Sequence, residues 1–496
     1  MAITTTDDGT PHTRPEDEYL GVGKTLGYGV QHILAMFGGV IAVPLIVGGA
    51  AGLDTAQKAL LVASGLFVSG LATMLQTLAV PFFGSRLPLV QGTSFATVST
   101  ILTILAGDPE NGLRVVFGSL LVAAAIGLAI TPFFARVIRF FPPVVTGSII
   151  TVIGLSLMPV AAGWITGQPT VTVDGRKVAN PDFAALPNIG LAMFTFLAVV
   201  LLSRVRVFSR LSVLLGLVVG TVVALILGRA DVGAVGSASV FSLPHPFAFG
   251  GPMFEIGAIV SLTVVILVTM VETTADILAV GEVVSTKVDS RRVADGLRAD
   301  MASSLLAPVF NSFPATAFAQ NVGLVALTGI KSRFAVAAGG AILLLLGLSP
   351  IAAAAFSVIP GPVLGGAGFV LFGTVAASGI RTLATVDYQG NNNLLVVAAS
   401  IAFGLIPVVS TDFWHAFPSW FVVIFHSGIS AAAIVAVVLN LLFNVLLPGA
   451  PEQPSIVAAG PAVGVPDEVE RTGQASDGAA AAPSATEAHG TRTSAA

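Results

Sequence analysis

Cysteine is absent from all 496 residues, which excludes disulfide bonds and thiolate metal sites. Charge is nearly as scarce. Only 10% of the residues are Asp, Glu, Lys or Arg against 55% hydrophobic, so the chain cannot clothe itself in an ordinary water-facing surface. A formal net charge of -4 leaves no electrostatic footprint for a nucleic-acid partner, and none is expected. Residues 1–20 lack an apolar stretch ahead of a small-residue cleavage site, so no cleavable signal peptide is expected.

What the chain has in abundance is apolar sequence. Runs such as Ile259–Val271, Phe334–Leu348 and Leu394–Val409 recur along its length. A spanning helix needs about 20 mostly apolar residues, and the region from Leu26 to Leu447 holds roughly fourteen of them. The expected fold class is therefore an all-α polytopic membrane protein in a lipid bilayer. From Pro448 the composition turns to Ala, Pro, Gly, Ser and Glu without aromatics, so 448–496 is expected to be a disordered tail, and the polar residues 1–22 are likewise given no fold.

Basic residues give the orientation. With an even number of spans and both termini in the cytoplasm, Lys58, Arg114, Arg176, Lys177 and Arg229 fall outside. All other lysines and arginines, among them Arg86, Arg136, Arg139, Arg292 and Arg333, fall inside, as the positive-inside rule requires. The largest outer loop spans about 166–187, with Asp174-Gly175 as its turn signal.

The two halves echo one another. Pro88-Leu-Val-Gln-Gly-Thr-Ser94 and Pro314-Ala-Thr-Ala-Phe-Ala-Gln320 each start at proline and reach a polar residue six positions later. Each is too interrupted to span as a regular helix. Such paired segments mark the binding site of an inverted-repeat transporter, with half-helix N–H groups free near Ser94-Phe95 and Gln320-Asn321. Proline and glycine also kink ordinary membrane helices, so the echo alone leaves both readings open.

Acids decide between them. Glu272 and Asp276 stand four apart, on one helix face, behind the apolar stretch Val260–Met270. Two carboxylates so close in low dielectric cannot both stay ionised cheaply, so they are expected to share a proton. Asp300 opens or lies within the next span, where capping near Arg298 is the alternative role. Intramembrane acids are functional candidates by default. His32, after Gln31, is either a core histidine bonded to a neighbouring helix or a support for the site. Phe95 and Ser94 are equally open to a packing role.

Gln320, Asn321, Gly323, Thr328 and Gly329 have the order and spacing of the signature of the nucleobase–ascorbate transporters, also called nucleobase:cation symporters, and the resemblance runs from about Gly23 to Leu447. It is strongest to the xanthine and uric acid permease branch. The resemblance implies fourteen spans as two inverted repeats of seven. A core domain would comprise 23–142 and 251–358, and a gate 143–250 and 359–447, with elevator-like motion and a homodimer. It implies that Glu272 and Gln320 bind the nucleobase edge, that Phe95 stacks on its face, and that Ser94, Ala319 and Asn321 shape the site. Asp276, Asp300 and His32 would then serve proton coupling, with the proton as coupling ion and neither cofactor nor metal. Gln rather than Glu at 320 favours xanthine or urate over uracil.

Three alternatives were weighed. A uracil permease of the same family would usually carry Glu at 320. An anion transporter of the sulfate or bicarbonate type shares the architecture but is expected to put positive charge at its site. An intramembrane aspartyl protease needs a Gly-x-Gly-Asp segment that the spans lack.

Overall fold

Proline 44 sets up the architecture from inside the first long helix. The computed structural model describes residues 4–5, 11–12, 14–134, 140–167, 169–173, 176–206, 208–230, 240–389 and 391–446. Arg136, Arg139, the Asp174-Gly175 turn and the tail 448–496 lie outside them. Helix α1 covers Val22–Ala50 with Pro44 in its interior. A proline has no N–H for the carbonyl four residues earlier. That carbonyl, Val40 O, instead accepts from Thr93 Oγ1 at 3.0 Å. The broken rung of α1 thus becomes the anchor for the interrupted segment of the third span.

Helix α2 (Thr55–Leu78) starts on a capping box between Asp54 and Gln57. The chain then runs extended through β1 (Gln91–Thr93), a 3₁₀ turn at Phe95–Thr97 and the short helix α3 (Val98–Gly107). Helices α4 (Gly112–Ile130), α5 (Pro143–Ser156), α6 (Met158–Thr166), α7 (Leu186–Arg204) and α8 (Ser212–Ile226) complete the first half.

The second half repeats the order. Helices α9 (Ile256–Val284) and α10 (Ser290–Leu306) precede β2 (Ala315–Ala317) and the half-helix α11 (Ala319–Thr328). Helices α12 (Arg333–Gly347) and α13 (Pro350–Ser357) follow, with a bend of 89° between them. Helices α14 (Gly361–Leu383), α15 (Asn393–Val409), α16 (Ser419–Phe425) and α17 (Gly428–Asn440) follow, and a π-helical turn at Leu441–Leu446 ends the described chain. Among the described residues, eight helices are long and apolar enough to cross a membrane, or nine if the bent pair is one span.

Packing sorts these helices into two groups. In one, α1 and α2 pack on α12, and α4 packs on α9 and α10; in the other, α14 packs on α5, α6 and α7, and α15 on α5 and α17. Small residues allow the closest approaches. A Cβ on Gly154 of α5 would lie 2.3 Å from Ala376 N of α14, and one on Gly347 of α12 would lie 2.3 Å from Phe67 N of α2. The glycine-rich start of α14 serves close contact too. A Cβ on Gly365 would meet Ala161 O at 2.7 Å, and one on Gly366 would meet Ala192 O at 2.2 Å.

The N-terminal segment departs from expectation. Residues 1–22 are too acidic to read as folded, yet Pro15–Asp17 forms a 3₁₀ turn with Glu16 buried. Glu16 pairs with Arg292 at 2.6 Å and accepts from Thr286 Oγ1, while Asp17 pairs with Arg333 at 2.6 Å. The acids are a strap fitted to basic residues far along the chain, a partnership that local composition does not reveal.

Candidate functional site

The two proline-led segments meet. β1 and β2 run antiparallel, with Gln91 opposite Ala317, Gly92 opposite Thr316 and Thr93 opposite Ala315. Flanking bonds extend the pair, Ser94 N donating to Pro314 O at 2.8 Å and Phe318 N to Val90 O at 3.1 Å. Gly92 and Phe318 are diagonal neighbours in this ladder, and the ring reaches across because position 92 has no side chain. A Cβ on Gly92 would lie 2.5 Å from Phe318 Cζ, and one on Gly39 of α1 would lie 2.8 Å from Phe318 Cε2. The buried Phe318 ring is thus cradled between two glycines and fixes the strands against α1.

Beyond the ladder, each strand feeds a short helix. On the first side Ser94 is fully buried and its Oγ caps the turn by accepting from Ala96 N at 3.3 Å. Phe95 is 8% exposed, its ring edge-on to Phe372 of α14 with centroids 5.9 Å apart. Trp164 of α6 continues that aromatic row on Phe372. On the second side α11 begins without a side-chain cap. Ala319 and Gln320 there are exposed, and Gln320 makes no side-chain hydrogen bond among the described residues.

Asn321, the next residue, is buried and braced. Its Oδ1 accepts from His32 Nδ1 at 2.8 Å and its Nδ2 donates to Pro88 O at 2.6 Å. His32 is thus bonded to a neighbouring helix, and its partner is the signature residue next to Gln320. The Asn321 amide therefore ties α1 to the entrance of β1 and aligns the two half-helices.

Helix α9 supplies the acids. Glu272 is half-buried and makes no hydrogen bond among the described residues. Thr273 beside it is the local organiser: its Oγ1 donates to Asp300 Oδ2 at 2.5 Å, accepts from Ala317 N at 3.2 Å and lies 3.2 Å from Thr316 Oγ1. One hydroxyl thus joins α9, α10 and β2. Asp276 and Asp300 are buried; the Asp276 carboxyl makes no hydrogen bond among the described residues, Asp300 Oδ1 is unpartnered, and Glu272 interacts electrostatically with both. Asp300 lies in mid-helix, well away from the Asp289 cap of α10, and it is Asp295 that pairs with Arg298.

The structure therefore brings every residue singled out above to the ladder or to helices that touch it. Among the polar side chains it leaves without a hydrogen bond there are Glu272 and Gln320, on the adjacent elements α9 and α11, together with the buried Gln91 amide of β1 and the Asp276 carboxyl. Sequence reading passed over Thr273, Thr316 and Phe372. Threonines and phenylalanines are common inside membrane helices, and nothing in their spacing sets these apart.

Comparison with known proteins agrees with this geometry. Residues 23–413 match the model of the Permease family, Xan_ur_permease. The chain is 40% identical over 427 residues to a xanthine permease of Bacillus subtilis (strain 168), covering 86% of this chain and 95% of the relative. It is 37% identical to the uric acid transporter UacT of Escherichia coli (strain K12), covering 87% and 89%. It is also 37% identical to the uric acid permease PucJ of Bacillus subtilis (strain 168), covering 85% and 93%. Among solved structures, the transmembrane domain of the cyanobacterial bicarbonate transporter BicA aligns with a TM-score of 0.54 at 16% identity, over 84% of this chain and 96% of that one. Murine Slc26a9 in the inward-facing state aligns at 0.58 and 14% identity, over 86% and 70%. These two likenesses are of fold alone. A paired-strand site, a signature at Gln320-Asn321 and relatives matched along nearly their whole length give one conclusion: the chain belongs to the xanthine and uric acid permease family and is a multi-pass membrane transporter rather than an enzyme.

Proposed function

We propose that this protein imports a purine nucleobase, xanthine or uric acid, by proton symport across the cell membrane. The observation that carries the reading is that Glu272 and Gln320, on adjacent elements and each open to solvent in part, make no side-chain hydrogen bond among the described residues, with the unpartnered Gln91 amide of the ladder and the Asp276 carboxyl close by. A nucleobase has an edge of alternating donors and acceptors. A carboxylate takes ring N–H groups, while an amide donates to a carbonyl and accepts from an N–H at once. Phe95 lies at the start of the facing half-helix, where a modest turn of its ring offers a stacking surface.

The first packing group is the core of the proposed transporter and the second its gate, so that the bound base travels with the core. Fourteen spans result if the strand–helix segments at β1 and β2, the polar α10 and the shorter helices α8 and α15 each count as one. In this arrangement both termini face the cytoplasm and the protein works as a homodimer. The relatives named for xanthine and uric acid support the substrate class.

The test is uptake of labelled xanthine by cells expressing the protein, with urate, uracil, guanine, hypoxanthine and sulfate as competitors, with and without an uncoupler. Inhibition by urate and loss of accumulation with the uncoupler are expected. Competition by uracil alone would move the assignment to a pyrimidine. Accumulation that survives the uncoupler would remove the proton.

A further inference from the structure

A second polar cluster lies in the same helix group, away from Glu272 and Gln320. Gln76 on α2 is completely buried, and neither its Nε2 nor its Oε1 has a partner. Ser85, in the link from α2 to β1, is buried with its Oγ unpartnered. Both crowd the same point of α10: a Cβ on Gly296 would lie 3.1 Å from Gln76 Nε2, 3.2 Å from Ser85 Cβ and 2.6 Å from Ile277 Cδ1. Gly296 is one helical turn before Asp300 on that face, and Ile277 follows Asp276. Asp300, with an unpartnered oxygen, therefore lies one turn further along the face of α10 that Gln76 and Ser85 meet, and Asp276 interacts electrostatically with it. At the other end Arg292 donates from Nε to Ser85 O at 2.6 Å and pairs with Glu16, whose Oε2 is also buried and unpartnered.

Buried polar atoms in folded proteins are nearly all paired, with protein or with ordered water. A row of orphans, two of them on one amide, is costly in an apolar surround unless water fills it. We propose that Gln76 and Ser85 line a hydrated proton path through the core, from Asp276 and Asp300 to the face that carries Glu16 and Arg292. In this path a carboxylic acid at 300 or 276 gives its proton to a neighbouring water and becomes a carboxylate. The proton passes along waters held by the Gln76 amide and by the Ser85 hydroxyl, and leaves to bulk water under the Glu16–Arg292 pair. One proton leaves for each acid that ionises, and nothing is oxidised or reduced. Other charged groups of the elements that enclose the row include Glu272 on α9, the Asp295–Arg298 pair on α10, Arg86 beside Ser85, and Arg333 of α12, which pairs with Asp17 and donates to Thr77 O next to Gln76. The inference rests on the proton-symport reading above.

The experiment uses the full chain in proteoliposomes with a pH dye inside, comparing the parent with Gln76→Leu, Gln76→Asn and Ser85→Val. Leucine matches glutamine in bulk and removes two unpaired polar groups, so the variant is expected to fold. Expected results are xanthine affinity equal to the parent in all variants, loss of xanthine-driven proton entry in Gln76→Leu and Ser85→Val, and retention in Gln76→Asn. Parental proton entry in Gln76→Leu and Ser85→Val overturns the path while leaving symport intact. A parent that binds xanthine but moves no proton overturns symport and the path with it. If Gln76→Leu does not reach the membrane, proton entry in Ser85→Val decides.

Discussion

Glu272 and Gln320 make no side-chain hydrogen bond among the described residues and, unlike the buried Gln91 and Asp276, are open to solvent in part. Replacing Glu272 by Gln keeps the shape and removes the charge that would accept two ring N–H groups. Breaking a buried charged hydrogen bond costs about 2–5 kcal/mol, which is roughly 30-fold to several thousand-fold in affinity. Xanthine uptake by Glu272→Gln is therefore expected to vanish while membrane expression stays at the parent level; normal uptake would remove Glu272 from the site. Gln320→Glu takes away the donor and adds charge near Glu272. Xanthine should lose affinity by about 1–3 kcal/mol, the cost of a buried partner left unsatisfied, and urate, the more acidic base, should lose more. Equal inhibition of parent and variant by both bases in a competition series would show that Gln320 does not touch the ligand. These two positions were legible in the sequence because an acid behind apolar residues and an amide pair after proline are conspicuous in membrane-grade sequence. The bracing of Asn321 by His32 and Pro88 was not, since it joins residues hundreds of positions apart.

At the scale of elements, proline and glycine announced the two extended segments, whereas their pairing and register come from packing that no local pattern encodes. Phe318 between Gly39 and Gly92 is the clearest case. Overpacking a close-fitted core usually costs about 1–3 kcal/mol, so Gly92→Ala is expected to lower stability by that order, read as a lower melting temperature in detergent. Phe318→Leu should relieve the crowding, and the double variant should cost less than the sum of the singles. Strict additivity would mean that Phe318 does not set the strand position. The N-terminal strap is the opposite lesson. An acidic run normally reads as a solvated tail, and only the fold brings Arg292 and Arg333 to it. Removing one partner of a buried ion pair costs about 3–5 kcal/mol. Glu16→Gln should accordingly destabilise the protein by that order in a thermal melt, and an unchanged melt would make the strap incidental.

For the whole molecule, transport by a moving core requires the two helix groups to slide past each other while each stays rigid. Their contact includes α1 against α8, which packs on α7 and α14 of the second group: a Cβ on Gly38 would lie 3.2 Å from Val213 Cγ1. Val213 Cγ1 stands where the sulfur of a cysteine at 213 would, so Gly38→Cys with Val213→Cys sets a thiol at 213 against the Cβ at 38 across the seam, the approach that a disulfide, with its two Cβ atoms about 3.5–4.5 Å apart, requires. The chain has no cysteine of its own, which leaves the introduced pair as the sole source of a crosslink. Cysteine at 213 is no larger than valine, so the added bulk is the side chain at 38 alone, where the neighbour at 213 gives way by a few tenths of an ångström. Oxidation of the double variant should stop xanthine uptake and reductant should restore it, while each single variant should transport with or without oxidant. Binding of xanthine to the crosslinked protein should persist, because Glu272 and Gln320 lie within one helix group and need no movement to meet the base. Parental uptake through a fully formed crosslink would mean that the groups stay fixed at this seam during transport, and the moving-core mechanism would have to be abandoned for this protein.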